Sequence, residues 1–204
     1  MIYARSLGIL LIGALMLGGC DISVNSSIVV ADGESRSGPL ATVNGDILIG
    51  KDCTIEGGST SVNGSVRVGD QSRVDDLSTV NGSIRTGEGV SVEGDVESVN
   101  GSVELGAGTE VSGKVGTVNG AIELVRTIVQ VDLRTVNGDI KLRDKSIVKG
   151  NVVIRDKMDA SKRQQPIEIE VTGGSIIEGD VLVKRNVDVR LILRGGGKVL
   201  GQVD

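Results

Sequence analysis

Histidine, tryptophan and phenylalanine are missing from this chain, and its one tyrosine is Tyr3. Without histidine there is no imidazole base, no Ser-His-Asp triad and no imidazole metal ligand. Without rings there is no platform for stacked bases, which argues against nucleic acid as a partner. A globular core usually takes much of its buried area from aromatic side chains. Here the core has to come from Val, Ile and Leu, which suits thin stacked β-coils too narrow for rings. Proline is also scarce, at 2 residues against 31 glycines, so the composition is not that of a disordered Pro/Ser linker.

The first twenty residues read as a targeting segment. Arg5 supplies a positive start, Leu7 to Leu17 is uncharged and apolar, and Leu17-Gly18-Gly19-Cys20 follows at once. The apolar run is shorter than the roughly 20 residues a membrane span needs. LGGC resembles the lipobox of bacterial lipoproteins, in which the cysteine thiol takes a diacylglycerol and becomes the new N-terminus. The resemblance implies a signal peptide over residues 1–19 and lipid attachment at Cys20, with the membrane as a partner. Asp21 resembles the signal that retains enterobacterial lipoproteins in the inner membrane. It favours the periplasmic side of the inner membrane, with the outer membrane as the alternative. Residues 20–40 then read as the lipidated cysteine and a Ser- and Gly-rich tether. With Cys20 acylated, Cys53 has no partner, so no disulfide framework is expected. A small buried filler is the reading of Cys53.

What the chain has in quantity is repetition. Val-Asn-Gly begins at Val43, Val62, Val80, Val99, Val118 and Val136, at intervals of 18 or 19 residues. Four residues after each valine stands Ile47, Val66, Ile84, Val103, Ile122 or Ile140. The sixth place holds Ile49, Val68, Thr86, Leu105, Leu124 and Leu142, and the twelfth Ile55, Val74, Val92, Val111, Gln130 and Val148. Gln130 breaks the pattern between Val129 and Val131, as a bulge or one-residue shift would. Even spacing puts these side chains on one face of strands, and no helical period competes with it. The period suits one coil of a β-solenoid. The fold expected is therefore all-β, a single-stranded β-helix with coils of 18–19 residues, regular over 41–154.

Asn-Gly tolerates positive φ and is a turn signal, so it is placed at a corner. The alternative runs it through a strand with the glycine facing inward. In either case Asn44, Asn63, Asn81, Asn100, Asn119 and Asn137 would stack, and their amides could bond from coil to coil as a structural ladder. Cys53 occupies the tenth place of its repeat, in a row with Ser72, Val90, Thr109, Ile128 and Ser146, whose parity points inward.

After Ile154 the rhythm breaks. Residues 155–166 are polar and read as a loop extruded between coils, with Lys157, Lys162 and Arg163 as candidate partner-binding groups. Residues 167–204 resume alternation as degenerate coils; SIVKGNVVI, SIIEGDVLV and KVLGQV resemble one another. Residues 21–140 hold 18 acidic and 8 basic side chains, a net of −10, whereas residues 141–204 hold 9 and 13, a net of +4. An acidic end could meet a basic end in a head-to-tail homo-oligomer, or the basic end could meet an anionic envelope polymer.

No catalytic constellation is recognisable, and an enzyme is not expected. Asp75-Asp76 would face opposite sides of a strand, and Glu93-Gly94-Asp95 is a pattern common on surface strands. The glycine-rich nonapeptide of calcium-binding β-rolls does not recur, so neither metal nor cofactor is expected. TVNGDI at 42–47 and 135–140 resembles the coil motif of the putative-adhesin β-helix domain and, more distantly, the repeats of bactofilins, polymer-forming cytoskeletal proteins. That resemblance implies a β-helix and a structural or surface-binding role. The function expected is a non-catalytic, lipid-anchored structural protein of the cell envelope, self-associating end to end. The alternative is an adhesin-like module that engages a protein or polymer through one face or the 155–166 loop.

Overall fold

The structure, a computed structural model, describes residues 20–155, 166–184 and 187–204. Every regular element among them is a strand of two to five residues, and the strands form three nine-stranded sheets. All pairings are parallel, and each coil gives one strand to each sheet in turn. The chain is a single-stranded β-solenoid of nine coils. At about 4.8 Å per coil it is a rod roughly 40 Å long.

Like stacks on like along the rod. In the second sheet Ile47, Val66, Ile84, Val103, Ile122, Ile140 and Ile169 lie in one register and are fully buried. Each such side chain contributes about 1.5–3 kcal/mol by leaving water. Two-residue periodicity makes the coil, because an inward β-branched residue at every second place fills an interior with no room for rings.

Val-Asn-Gly falls at the corner between the first and second sheets, but for a different reason than turn propensity. None of its asparagines or glycines has positive φ. A Cβ added to Gly64, Gly82, Gly101, Gly120 or Gly138 would overlap the carbonyl oxygen of the glycine one coil earlier. These glycines are there for close approach. The left-handed backbone sits instead at the next corner, where Gly33, Asp52, Gln71, Gly89, Gly108 and Arg126 carry φ of 46–75°.

The short coils lose their residue at different corners. Val74 is followed by Leu77 where the equivalent spacing elsewhere is four, as in Val92 to Val96. In the coil begun by Val118 the loss falls between Leu124 and Thr127. Val129 therefore pairs with Val111 and points inward, and Gln130 points out to Glu110. The tenth-place row is corrected accordingly: Thr127, not Ile128, is the buried member, and Ile128 pairs with exposed Glu110.

Residues 21–39 are not a tether. β1 (Asp21–Ser23), β2 (Ile28–Val30) and β3 (Ser35–Ser37) form the first coil and pair with Leu40–Thr42, Ile47–Ile49 and Thr54–Glu56. Val24-Asn25-Ser26 stands one repeat before Val43-Asn44-Gly45, and serine fits there because among the described residues no earlier coil lies against it. Residues 155–166 fall between Val152–Ile154 and Ile167–Val171, and positions 156–165 are outside the described residues. Residues 167–204 complete the eighth coil and supply the ninth, except for 185–186.

Candidate functional site

The asparagines form a continuous hydrogen-bonded column. Nδ2 of Asn44, Asn63, Asn81, Asn100, Asn119 and Asn137 each donates to Oδ1 of the asparagine one coil earlier, at 2.7–2.9 Å, beginning at Asn25. Beneath it, in five of the six copies, a buried hydroxyl at the place before the valine donates to the Ser26 or glycine carbonyl one coil earlier, whereas Thr135 bonds within its own turn to Gly138. Thr42 donates to Ser26, Ser61 to Gly45, Thr79 to Gly64, Ser98 to Gly82 and Thr117 to Gly101, at 2.8–3.0 Å. A polar corner without these donors would leave acceptors unpaired at about 1–3 kcal/mol each.

A second column runs down the corner between the third and first sheets. Oδ1 of Asp76 accepts from the backbone N–H of Asp95, Asp95 from Lys114, Asp132 from Asn151, Asn151 from Asp180, and Asp180 from Gln202. Burial pulls the Asp95 and Asp132 carboxyls upward, but these N–H donors and the cations Lys114 and Arg134 outweigh it and hold both below the ordinary aspartate range. At the asparagine corner the Ser65 N–H lowers Asp46; partial burial opposes it and Arg67 adds to it. Lys51 is the main cause of a lowered Asp70, with the Glu88 N–H second. These carboxylates are committed to scaffolding. Asp75-Asp76 also lies at this corner rather than within a strand, and Glu93 and Asp95 are paired with Arg73 and Lys114. Among the described residues no three Cys, Asp or Glu side chains gather as metal ligands would.

Cys53 is buried, and its thiol donates to the carbonyls of Ala31 and Lys51 at 3.1 and 3.4 Å. Ser72 does the same one coil later, donating to Gly50 at 2.9 Å. The thiol thus acts as a weak hydroxyl in a structural row. Cys20 is exposed and immediately precedes β1. Lys157, Lys162 and Arg163 lie outside the described residues.

Three surface features remain. The outer face of the first sheet carries Ser78, Glu97, Gly116 and Arg134 in register, and a shallow groove of 290 Å³ runs over it beside exposed Val80 and Val99. The N-terminal end of the core is closed by charge. Arg36 points inward from β3 in register with Ile55, and pairs with Asp21 at 3.1 Å and Glu34 at 3.0 Å. The C-terminal end is covered over the first sheet, where Val203 bridges to Val181, and open over the other two. Val189, Leu191, Leu193 and Val199 face inward in register with buried residues but are only partly covered, and Leu200 and Val203 beside them are exposed. The sequence reading missed the Arg36 cap, whose signal was a lone arginine at the place of the inward Ile55 and Val74.

No family model, curated protein or solved structure compared with this chain matches it. Among the described residues no helix is long and apolar enough to cross a membrane.

Proposed function

We propose that this protein is a non-catalytic structural rod of the bacterial cell envelope, held to a membrane by lipid on Cys20 and self-associating through its C-terminal end. The observation that carries it is the contrast between the ends. A parallel solenoid leaves unpaired strand edges at both, and proteins blunt such edges with inward-pointing charge. Asp21, Arg36 and Glu34 do so at the first coil. The ninth coil presents an apolar core section instead, so two copies bury most when their C-terminal ends meet about a two-fold axis. Head-to-tail contact would bury the Arg36 cluster, and a desolvated ion cluster costs several kcal/mol per ion. The bactofilin-like repeat style fits a rod that associates by its ends, and LGGC supplies the anchor. Asp21 fits retention at the inner membrane.

Two experiments test the reading. Cys20→Ser should move the protein from the membrane to the soluble fraction. Leu200→Cys should give covalent dimers on oxidation, whereas Asn25→Cys should not; dimers from neither would remove the self-association. The groove on the first sheet supports a second reading, an adhesin-like module binding a protein or polymer along that face. Under it, Gly116→Arg would abolish partner capture by a chain that stays monomeric.

A further inference from the structure

We infer that the first two coils carry a lipid-contacting corner, so that the rod is not merely tethered but lies with one edge of its N-terminal end against the bilayer. Coil by coil, the outward place on the first sheet is Ile22, Ala41, Thr60 and Ser78, and on the second sheet Val29, Leu48, Arg67 and Arg85. Both rows are apolar for two coils and then turn polar. Ile22, Val24 and Val29 are 72%, 60% and 63% exposed, and among the other large apolar residues described only Leu200, at the far end, is exposed to that degree. With Ala41, Val43 and Leu48 they form one patch around the corner between the first and second sheets. The third sheet offers Ser35, Ser37, Thr54 and Glu56 outward at the same level, so the patch is one-sided.

The occupant follows from where the chain comes from. The apolar run Leu7–Leu17 leads through Gly18-Gly19 to Cys20, and β1 begins at the next residue, so no spacer separates an anchor at Cys20 from Ile22. Any group that holds Cys20 in a membrane brings this corner to its surface. The end face of the coil cannot itself enter hydrocarbon, because the unpaired backbone groups of β1, β2 and β3 would lose their water. The corner can, since its apolar side chains project sideways from the rod and can enter the lipid while the end-face backbone stays in water. Its attraction is apolar rather than electrostatic, as residues 21–39 hold three acidic side chains against one basic. The patch therefore sets a tilted rod with the third sheet facing away from the lipid.

This inference rests on the membrane-anchored reading, and separate readouts keep the two apart. Full-chain protein isolated from membranes and placed in phosphatidylethanolamine–phosphatidylglycerol vesicles is labelled with an environment-sensitive fluorophore at Val29→Cys, Ser37→Cys or Ser78→Cys. The intact mass of the protein reports whether Cys20 is acylated and so decides the anchor. The label decides the corner: at Val29→Cys its emission should shift to the blue and be quenched by nitroxide-bearing lipid. At Ser37→Cys and Ser78→Cys it should stay water-like, and adding Ile22→Ser and Val24→Ser should restore water-like emission to the Val29→Cys label. Water-like emission at all three positions overturns the inference, whether Cys20 carries lipid or not.

Discussion

The two ends of the rod solve the same problem in opposite ways. In the first coil three of the inward places are Asp21, Ser23 and Arg36, and the ion pairs among Asp21, Glu34 and Arg36 lie across the end of the core. In the ninth the corresponding places are Val181, Val183 and Val199, whereas the second sheet is apolar inward at both ends, with Ile28 and Val30 in the first coil and Leu191 and Leu193 in the ninth. The difference teaches that stacking alone does not decide how a solenoid ends. Each coil is a complete template for another, and only a local departure from the apolar row stops it. One end is closed by ion pairs, and the other shows apolar inward places that are only partly covered.

The column of corner glycines between the two ends is where the largest effect is expected. Gly101→Val would drive a branched side chain into the Gly82 carbonyl, which cannot move without unpicking two coils. Destabilisation of about 3 kcal/mol or more, read from the denaturation midpoint, is the expected outcome. Gly116→Ala, whose Cβ would meet Arg134 only at ordinary contact distance, should cost less than about 1 kcal/mol. Equal losses at the two sites would contradict the close-approach account.

Changing the ends sharpens the comparison directly. Leu191→Asp places a charge on the open core section and should abolish dimers while costing little stability. Arg36→Leu together with Asp21→Ala makes the first coil resemble the ninth, and the expected outcome is growth beyond dimers on sedimentation. Persistence of dimers in Leu191→Asp would mean that association uses a side face.

Smaller effects belong to the ladders. Asn100→Ala removes two side-chain bonds and should cost about 1 kcal/mol, since exposed hydrogen bonds contribute modestly. Asp46, Asp95 and Asp132 have carboxyl pKa values below the ordinary 3.8 in the folded chain. Their contribution is fully present above that value and is lost as pH falls through the lower folded values. Chemical denaturation should therefore weaken only below about pH 4, and Asp95→Asn should flatten that loss, because an amide keeps the acceptor oxygen.

Much of the scaffold was legible in the residues themselves. Six Val-Asn-Gly copies, with Ile47 through Ile140 in step, fix the coil length and the inward rows. The asparagines could be seen to stack because nothing else holds their spacing. What escaped was degenerate or compensated. Ser26 in place of glycine disguised the first coil, because the contact that demands glycine does not exist there. Gln130 marked a deletion, but the pattern could not show that the residue was lost before Thr127. Arg36 lay within the stretch read as a tether, and an inward arginine makes sense only once Asp21 and Glu34 are seen beside it. The groove over Ser78 and Gly116 left no motif, because Ser78, Glu97, Gly116 and Arg134 share a register but no residue type.

The most direct test of the central claim is light scattering on residues 21–204 without lipid, across concentration and salt. Residues 181–204 hold five basic and two acidic side chains, so C-terminal ends repel one another until salt screens them. The account predicts growth with concentration that stops at a dimer and is strengthened by salt. Open-ended growth that salt dissolves would mean acidic ends meeting basic ones, and a strict monomer would leave the open C-terminal end without the role given to it.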